Sequence, residues 1–465
     1  MIALLILSLL GVTAMVFDFF PFKKLLPLKV LSGLLLSLGL VAFEWNNPIE
    51  IGIFKGMLQF NHLALLFTGG LILITFLWVL LASPALQTFK YRTEFYALIL
   101  FSLCGGVIMT SYSNLVMLFL GIEILSIPLY VLAGSNKNSL ASNEASFKYF
   151  LMGAFASGFL LFGLTLVYGA TGSFQIEQIG KAIVVNNGNL PTFFYGGIVL
   201  ILAGMSFKIS AVPFHFWAPD VYQGAPNNIT AYMSTVVKMA AFAAFYRLFS
   251  TCFGPVSGGW SQFVWIMAAL SLLVGNISAV YQFSFKRMMA FSGVAHAGYM
   301  LLAVLALTKS AGSAILLYTI AYGVASITAF LIFILVYKEE EGIEGENFDR
   351  FNGLAKRNPL LGFALTLAML SLAGIPATAG FFAKLTVFNA AFSAGYFGLV
   401  LIAILASLIG VYFYFRVIIA IYFKHPREGV ETISLDFQHQ LLIVLGILLT
   451  LGLGLFPNLI LGLVS

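Results

Sequence analysis

Long runs of apolar residues, separated by short polar turns, recur from the first residues of the chain to the last. The runs are continuous, without the apolar–polar alternation of a barrel strand, and most have about the 20 residues a helix needs to cross a bilayer core. That length rule predicts about fourteen spans, near 2–20, 28–44, 61–83, 94–111, 114–133, 145–170, 192–212, 228–250, 260–281, 289–307, 311–337, 359–393, 397–424 and 439–460. The expected fold is therefore an all-α polytopic membrane protein. The first run has no basic segment before it and exceeds a signal core, so it reads as a retained helix. The twelfth is too long for one simple crossing.

Composition agrees with that solvent. Hydrophobic residues make up 61% of the 465 positions and charged residues 9%, against about 45–50% and about 25% in soluble domains. Too few charges remain to coat a water-facing surface. Cys104 and Cys252 fall in or beside apolar runs and lack CxxC spacing, which argues against a metal or iron–sulfur site. No glycine-rich phosphate loop opens a helix after a strand, so nucleotide binding has no support. The net charge of +6 reflects membrane topology, not nucleic acid.

With so few charges, each can be placed. If the N-terminus is outside, the inner turns collect Lys23, Lys24, Lys29, Lys90, Arg92, Lys137, Lys286, Arg287, Lys338, Arg350, Lys356, Arg357, Lys424 and Arg427, and the outer turns only Lys55, Lys181 and Lys309. The positive-inside bias then puts both termini on the periplasmic side of a bacterial inner membrane. Six basic residues stay within spans: Lys148, Lys208, Lys238, Arg247, Lys384 and Arg416. Of the acids, Glu123 alone is expected deep in a helix. Arg247 and Arg416 lie near span ends and are expected to snorkel to the headgroups. Lys148, near the start of its span, fits snorkelling or function equally. Glu123, Lys208, Lys238 and Lys384 are too deep to snorkel cheaply and are functional candidates. His215 and His296 join them as groups that titrate near neutrality, although either could be a hydrogen-bonded core residue.

Two segments combine a buried lysine with helix breakers. In GMSFKISAVPFHFWAPD, Lys208 precedes Pro213; in SLAGIPATAGFFAKLTVF, Lys384 follows Gly374, Pro376 and Gly380. Proline frees a backbone carbonyl, which hydrocarbon tolerates only where protein or trapped water satisfies it. Interrupted helices at matching places in two halves point to a transport site. The halves match loosely, with a second basic residue after each first one (Lys238 after Lys208, Arg416 after Lys384). Burial disfavours the charged form of lysine and of glutamate alike, and an opposite neighbour restores it. A Lys–Glu pair such as Lys208 and Glu123, if their helices pack together, would therefore stand near the point of proton exchange.

At these residues the chain resembles a known family. FLGIEILSIPLYVLAG, SFKISAVPFHFWAPDVYQGAP, KRMMAFSGVAHAGYM and AGIPATAGFFAKL are similar to the antiporter-like subunits of respiratory complex I, themselves related to subunits of multisubunit sodium/proton antiporters. The match runs over roughly 90–425. It implies fourteen helices, with helices 1–3 in residues 1–93, a five-helix repeat in 94–250, its inverted copy in 251–425 and a last helix in 426–465. It also implies broken seventh and twelfth helices. The family's fifth-helix glutamate matches Glu123, its seventh-helix lysine Lys208, its eighth-helix relay lysine Lys238 and its twelfth-helix residue Lys384. Lys148 matches a sixth-helix lysine of the N type. Lysine at 384 and a chain that ends soon after the fourteenth span favour the N type over the M and L types. Asn227 and Asn228 stand where the family usually has a Thr-Pro pair, a departure that affects local loop geometry.

The resemblance implies a proton-translocating subunit of an NADH:quinone oxidoreductase. FMN, iron–sulfur clusters and the quinone site then belong to partner subunits, with no cofactor in this chain. The expected partners are the other membrane and peripheral subunits, lipid and protons, and no nucleic acid. A cation/proton antiporter subunit, an M-type subunit of a related redox complex and a structural scaffold are the alternatives. A single buried acid is a poor cage for sodium, and clustered buried charges would be costly in a scaffold. The acidic run KEEEGIEGENFDR reads as a solvated loop, with partner docking as the alternative.

Overall fold

A backbone in hydrocarbon must satisfy its own N–H and C=O groups, and in the computed structural model the apolar runs do so as α-helices. The structure describes residues 1–19, 23–46, 54–87, 89, 91–308, 310–337, 345–426, 433 and 435–463. Lys90, Lys309, Lys338 and Arg427 of the charge tally, and positions 338–344 of the acidic run, lie outside the described residues.

Three helices lead in: α1 (Ile2–Met15), α2 (Leu26–Asn46) and α3 (His62–Leu86). A first group follows, with α4 (Arg92–Ser111), α5 (Leu115–Ala133), α6 (Leu140–Thr171), the short α7 (Ile176–Val185), α8 (Thr192–Ile209) and α9 (Trp217–Gly224). It closes with α10 (Asn227–Tyr232), a π turn (Met233–Val237) and α11 (Lys238–Thr251), which run on as one helix. A second group comprises α12 (Ser261–Val280), α13 (Phe285–Ala306), α14 (Ala311–Val336), the one-turn α15 (Leu354–Arg357), α16 (Pro359–Ala373), α17 (Ala379–Ser393) and α18 (Phe397–Phe423). The last elements are α19 (Phe437–Leu455) and α20 (Asn458–Leu461). Among the described residues, twelve helices are long and apolar enough to cross a membrane; Ile2–Met15 and Pro359–Ala373 are shorter apolar helices.

The two groups pack alike. In the first, α4 lies on α5 and α11, α5 on α6, and α6 on α8 and α9. In the second, α12 lies on α13 and α18, α13 on α14, and α14 on α16 and α17. Small residues permit the tightest approaches, as is common between membrane helices. A Cβ on Gly105 would stand 2.3 Å from the Leu125 nitrogen, and one on Gly275 would stand 2.5 Å from the Ala295 nitrogen. The N-cap of α5, Asn114, bridges to Gln175; the N-cap of α13, Ser284, bridges to Asn347.

The overlong twelfth run is two helices. α16 stops at Gly374, whose φ of +84° suits glycine, and α17 starts five residues later at Ala379. The seventh run stops likewise at Ser210, and the chain resumes as α9, beyond the predicted span. The short α7 was not expected; it is amphipathic and buries Ile176, Ile179 and Ile183. Asn227 and Asn228 begin α10, and the Asn228 carbonyl accepts the Trp78 indole N–H at 2.7 Å.

Several charges sit elsewhere than expected. Glu44, near the end of α2, is also a buried acid: it is 2% exposed and accepts from the backbone and amino nitrogens at the start of α1. Arg247 and Arg416 do not reach for headgroups. Arg247 Nε donates to the Tyr112 carbonyl and Arg416 Nη1 to the Val280 carbonyl, each at 2.6 Å, covering the ends of α4 and α12. Arg416 is thus the counterpart of Arg247, not of Lys238. Within the acidic run Glu346 is buried, taking hydrogen bonds from Ser284 and Gln223 with Lys286 at 3.6 Å.

Candidate functional site

The two breaks and the π turn each carry a lysine whose ammonium is buried inside the helix bundle. Lys208, Lys238 and Lys384 are 3%, 2% and 7% exposed. Among the described residues none forms an ion pair with a carboxylate.

Lys208 is the penultimate residue of α8. Its ammonium donates to Ser126 Oγ at 2.9 Å and Tyr130 Oη at 3.1 Å, both on α5. The break beside it leaves helix-end groups open, and they are covered internally. The Trp217 indole donates to the Phe207 carbonyl, and Val212 N–H donates to Ser271 of α12. Glu123 lies on α5 one turn before Ser126, half-buried, and accepts from Ser157 of α6. The expected Glu123–Lys208 pair is therefore not a direct contact. The Ser126 hydroxyl that accepts from Lys208 donates in turn to the carbonyl of Ile122, the residue before Glu123.

Lys238 follows the π turn directly, an irregularity that often accompanies functional sites. Its ammonium donates to the Gly293 carbonyl of α13 and lies 5.8 Å from the centre of the Tyr322 ring. One turn further along α13, His296 is clamped from both sides. Its Nδ1 is 2.8 Å from Tyr318 Oη and its Nε2 3.0 Å from Tyr414 Oη, which is in turn 2.5 Å from Ser292 Oγ. A cavity of about 10 Å³ joins His296, Tyr318 and Tyr322 to Ser371, Gly380 and Ala383 at the second break, roughly the room one water needs. On the far side Lys384 donates to the Ala373 carbonyl at 2.7 Å and lies 4.9 Å from the Tyr299 ring centre.

Lys148 and His215 have different surroundings. Lys148 pairs with Asp220 at 2.8 Å and Glu144 at 2.6 Å, with its side chain 38% exposed. It lies at the mouth of a cavity of about 900 Å³ that is also lined by Asp220, Gln223, Lys286 and Glu346. Asp220 takes a second cation, Arg287, at 2.9 Å. Burial opposes ionisation of Asp220, but the hydrogen bonds from Lys148 and Arg287 outweigh it and hold the carboxyl below its usual range. His215 is buried in the linker after α8 against Phe216.

Sequence reading missed the neutral half of the site. Ser126, Tyr130, Ser157, Tyr318, Tyr322 and Tyr414 look like ordinary small or aromatic packing residues in apolar helices. Their partners are remote in sequence, as with His296 and Tyr414. The π turn was not legible either; its neighbour Lys238 was marked by charge alone.

The profile described as NADH:quinone oxidoreductase/Mrp antiporter, transmembrane, matches residues 113–410, which hold Glu123, Lys148, Lys208, His215, Lys238, His296 and Lys384, with Tyr414 just beyond. The chain belongs to this family. Among its relatives, "NADH-quinone oxidoreductase subunit N" of Cytophaga hutchinsonii is 45% identical over 99% of this chain and 98% of its own length. A chain of respiratory complex I from Thermus thermophilus superposes with a TM-score of 0.83 at 32% identity, over 99% of this chain and 98% of that one. A chain of the Mrp complex from Dietzia superposes with a TM-score of 0.85 at 22% identity, over 99% and 95%, a likeness of fold alone. Family membership accords with the motifs around Glu123, Lys208, Lys238 and Lys384 and makes the chain a multi-pass membrane protein.

Proposed function

We propose that this chain is the N-type, proton-translocating membrane subunit of an NADH:quinone oxidoreductase. The observation that carries the reading is the row Lys208, Lys238, Lys384. Each ammonium is held by hydroxyl or carbonyl oxygens and not by a carboxylate. Such a group can pass on its proton without breaking an ion pair, whereas a salt-bridged one must first separate charges in a low dielectric. Buried ionisable residues in membrane segments are expensive and are expected to serve a pathway.

Electron transfer takes place in partner subunits, which carry FMN and iron–sulfur clusters and bind quinone. This chain contributes the protein route for the proton. The α4–α11 and α12–α18 groups are read as two inverted repeats, each supplying one broken helix. With both termini periplasmic, the large cavity at Lys148 and Asp220 opens to the cytoplasm and serves as intake. Glu123 with Ser157 and Ser126 biases Lys208 between loading and release. Lys238 receives the proton, His296 with Tyr318 and Tyr414 relays it, and Lys384 is the last buried station. Lys148 acts at the mouth. His215 is left with a role in holding the break.

The test is NADH-driven proton pumping by the intact complex in membrane vesicles, wild type against Lys208→Ala, with assembly checked on the same membranes. Assembled complex with pumping and turnover strongly reduced is expected. Unchanged pumping would sink the pathway and bring the scaffold reading forward; pumping that requires sodium would favour cation/proton antiport.

A further inference from the structure

Counted from the N-caps Asn114 and Ser284, the helices α5 and α13 place Glu123 and Gly293 at the same step, the ninth residue after the cap. Ser126 and His296 likewise fall at the same step, the twelfth. The corresponding positions are used differently. In α5 the ninth position carries a carboxylate. In α13 it carries no side chain, and the Lys238 ammonium of α11 occupies the space and donates to the carbonyl there.

We infer that Gly293 is a positioning residue for proton transfer: its missing side chain forms the port through which the Lys238 head docks onto α13. Three observations meet on this point. A Cβ at 293 would stand 2.6 Å from Lys238 Nζ, so the flexible lysine head would have to leave its place, and 3.2 Å from the Tyr322 hydroxyl, a tight contact. A helical carbonyl keeps a second lone pair after accepting its own i+4 N–H, so it can hold the ammonium without leaving the helix ladder. A hydrogen bond from a charged donor is also the stronger kind. Finally, the docked head lies one turn from His296 and beside Tyr322, which line the cavity leading to the second break. A carboxylate at 293, as at 123, would bind the ammonium as an ion pair and hold its proton there. The bare carbonyl fixes the head while leaving the proton free to move on.

This rests on proton carriage by Lys238, and the experiment separates the two. Gly293→Ala, Lys238→Ala and the double variant are made in the whole complex, and assembly, NADH-driven pumping in vesicles and quinone KM are measured. Expected are pumping lowered about tenfold in Gly293→Ala, the loss of one charge-assisted hydrogen bond, an unchanged quinone KM, and no further loss on adding Gly293→Ala to Lys238→Ala. If Gly293→Ala prevents assembly, Lys238→Ala should restore it, because the clash is with that side chain; failure to restore it overturns the inference. Normal pumping in Gly293→Ala also overturns it, as does an additive loss in the double variant. Normal pumping in Lys238→Ala instead overturns the proton-carrier role itself.

Discussion

Lys384 reaches back across the break in its own membrane segment and holds the carbonyl oxygen of Ala373 at 2.7 Å. Ala373 is the last residue of α16, and its carbonyl is one of those a helix end leaves without an N–H partner. The same side chain packs against Gly374, where a Cβ would stand 2.8 Å from Lys384 Cδ. The lysine therefore both carries a mobile proton in the proposed route and caps the helix that positions it. Lys208, by contrast, lies before its break and Lys384 after, so the two are not equivalent by position.

Lys384→Met keeps most of the buried stem and removes the donor. The orphaned Ala373 carbonyl should cost about 1–3 kcal/mol. A lowered thermal midpoint of the purified complex, together with reduced pumping, is the expected result. Lys384→Arg keeps a donor and should recover more of the midpoint than of the pumping. Equal recovery of both would mean that only the cap matters at this position.

How much of this was readable beforehand follows from the chemistry of each residue. Lys208, Lys238 and Lys384 stand out in apolar runs because charge in hydrocarbon has few innocent explanations. The breaks stand out because proline and glycine punctuate helices, and the excess length of 359–393 foretold α16 and α17. Ser126, Tyr130 and Tyr414 gave no such signal, since a hydroxyl among apolar residues is common and its partner is set by packing. Arg247 and Arg416 were misread because a position near a span end suits snorkelling and end-capping alike; only the location of the Tyr112 and Val280 carbonyls decides. Glu346 was misread with its acidic neighbours because sequence does not show that Ser284, Gln223 and Lys286 converge on it.

Ser126→Ala and Tyr130→Phe each delete one of the two acceptors of the Lys208 ammonium with little change of shape. A hydrogen bond to a charged group contributes about 1.5–3 kcal/mol. Each single variant should slow pumping several-fold, and the double variant should approach Lys208→Ala. Ser126→Ala also removes the hydroxyl that links Lys208 to the Ile122 carbonyl beside Glu123, so its effect should be the larger. Initial rates of NADH-driven acidification in vesicles, normalised to assembled complex, decide the order.

Asp220 stands between Lys148 and Arg287 at the mouth of the large cavity, in α9 and outside the twelve crossing helices. Its folded carboxyl is held below the usual range, so its contribution is present above the unfolded value of about 3.9 and is lost only as pH falls through the lower folded one. Asp220→Asn should therefore carry the same pumping penalty at about pH 6 as at about pH 8. The stability change should be small, about 0–1 kcal/mol, because the pairs are partly exposed and screened. A penalty that fades toward pH 6 would place Asp220 among the groups that exchange the transported proton.

Arg247→Ala and Arg416→Ala should behave as a structural pair and differ from every variant above. Each guanidinium caps the last carbonyls of the first helix in its own group, Arg247 at Tyr112 with a further donation to Gln59, and Arg416 at Val280 and Gln282. Removing either uncovers helix-end carbonyls, at about 1–3 kcal/mol, but takes nothing from the row Lys208, Lys238, Lys384. The expected outcome is less assembled complex with a lower thermal midpoint, and an unchanged number of protons moved per NADH in what does assemble. The ratio, measured as acidification against NADH oxidation in the same vesicles, is the decisive readout. A normal midpoint with a lowered ratio would assign these arginines to the proton route and give it a branch at each end of the bundle.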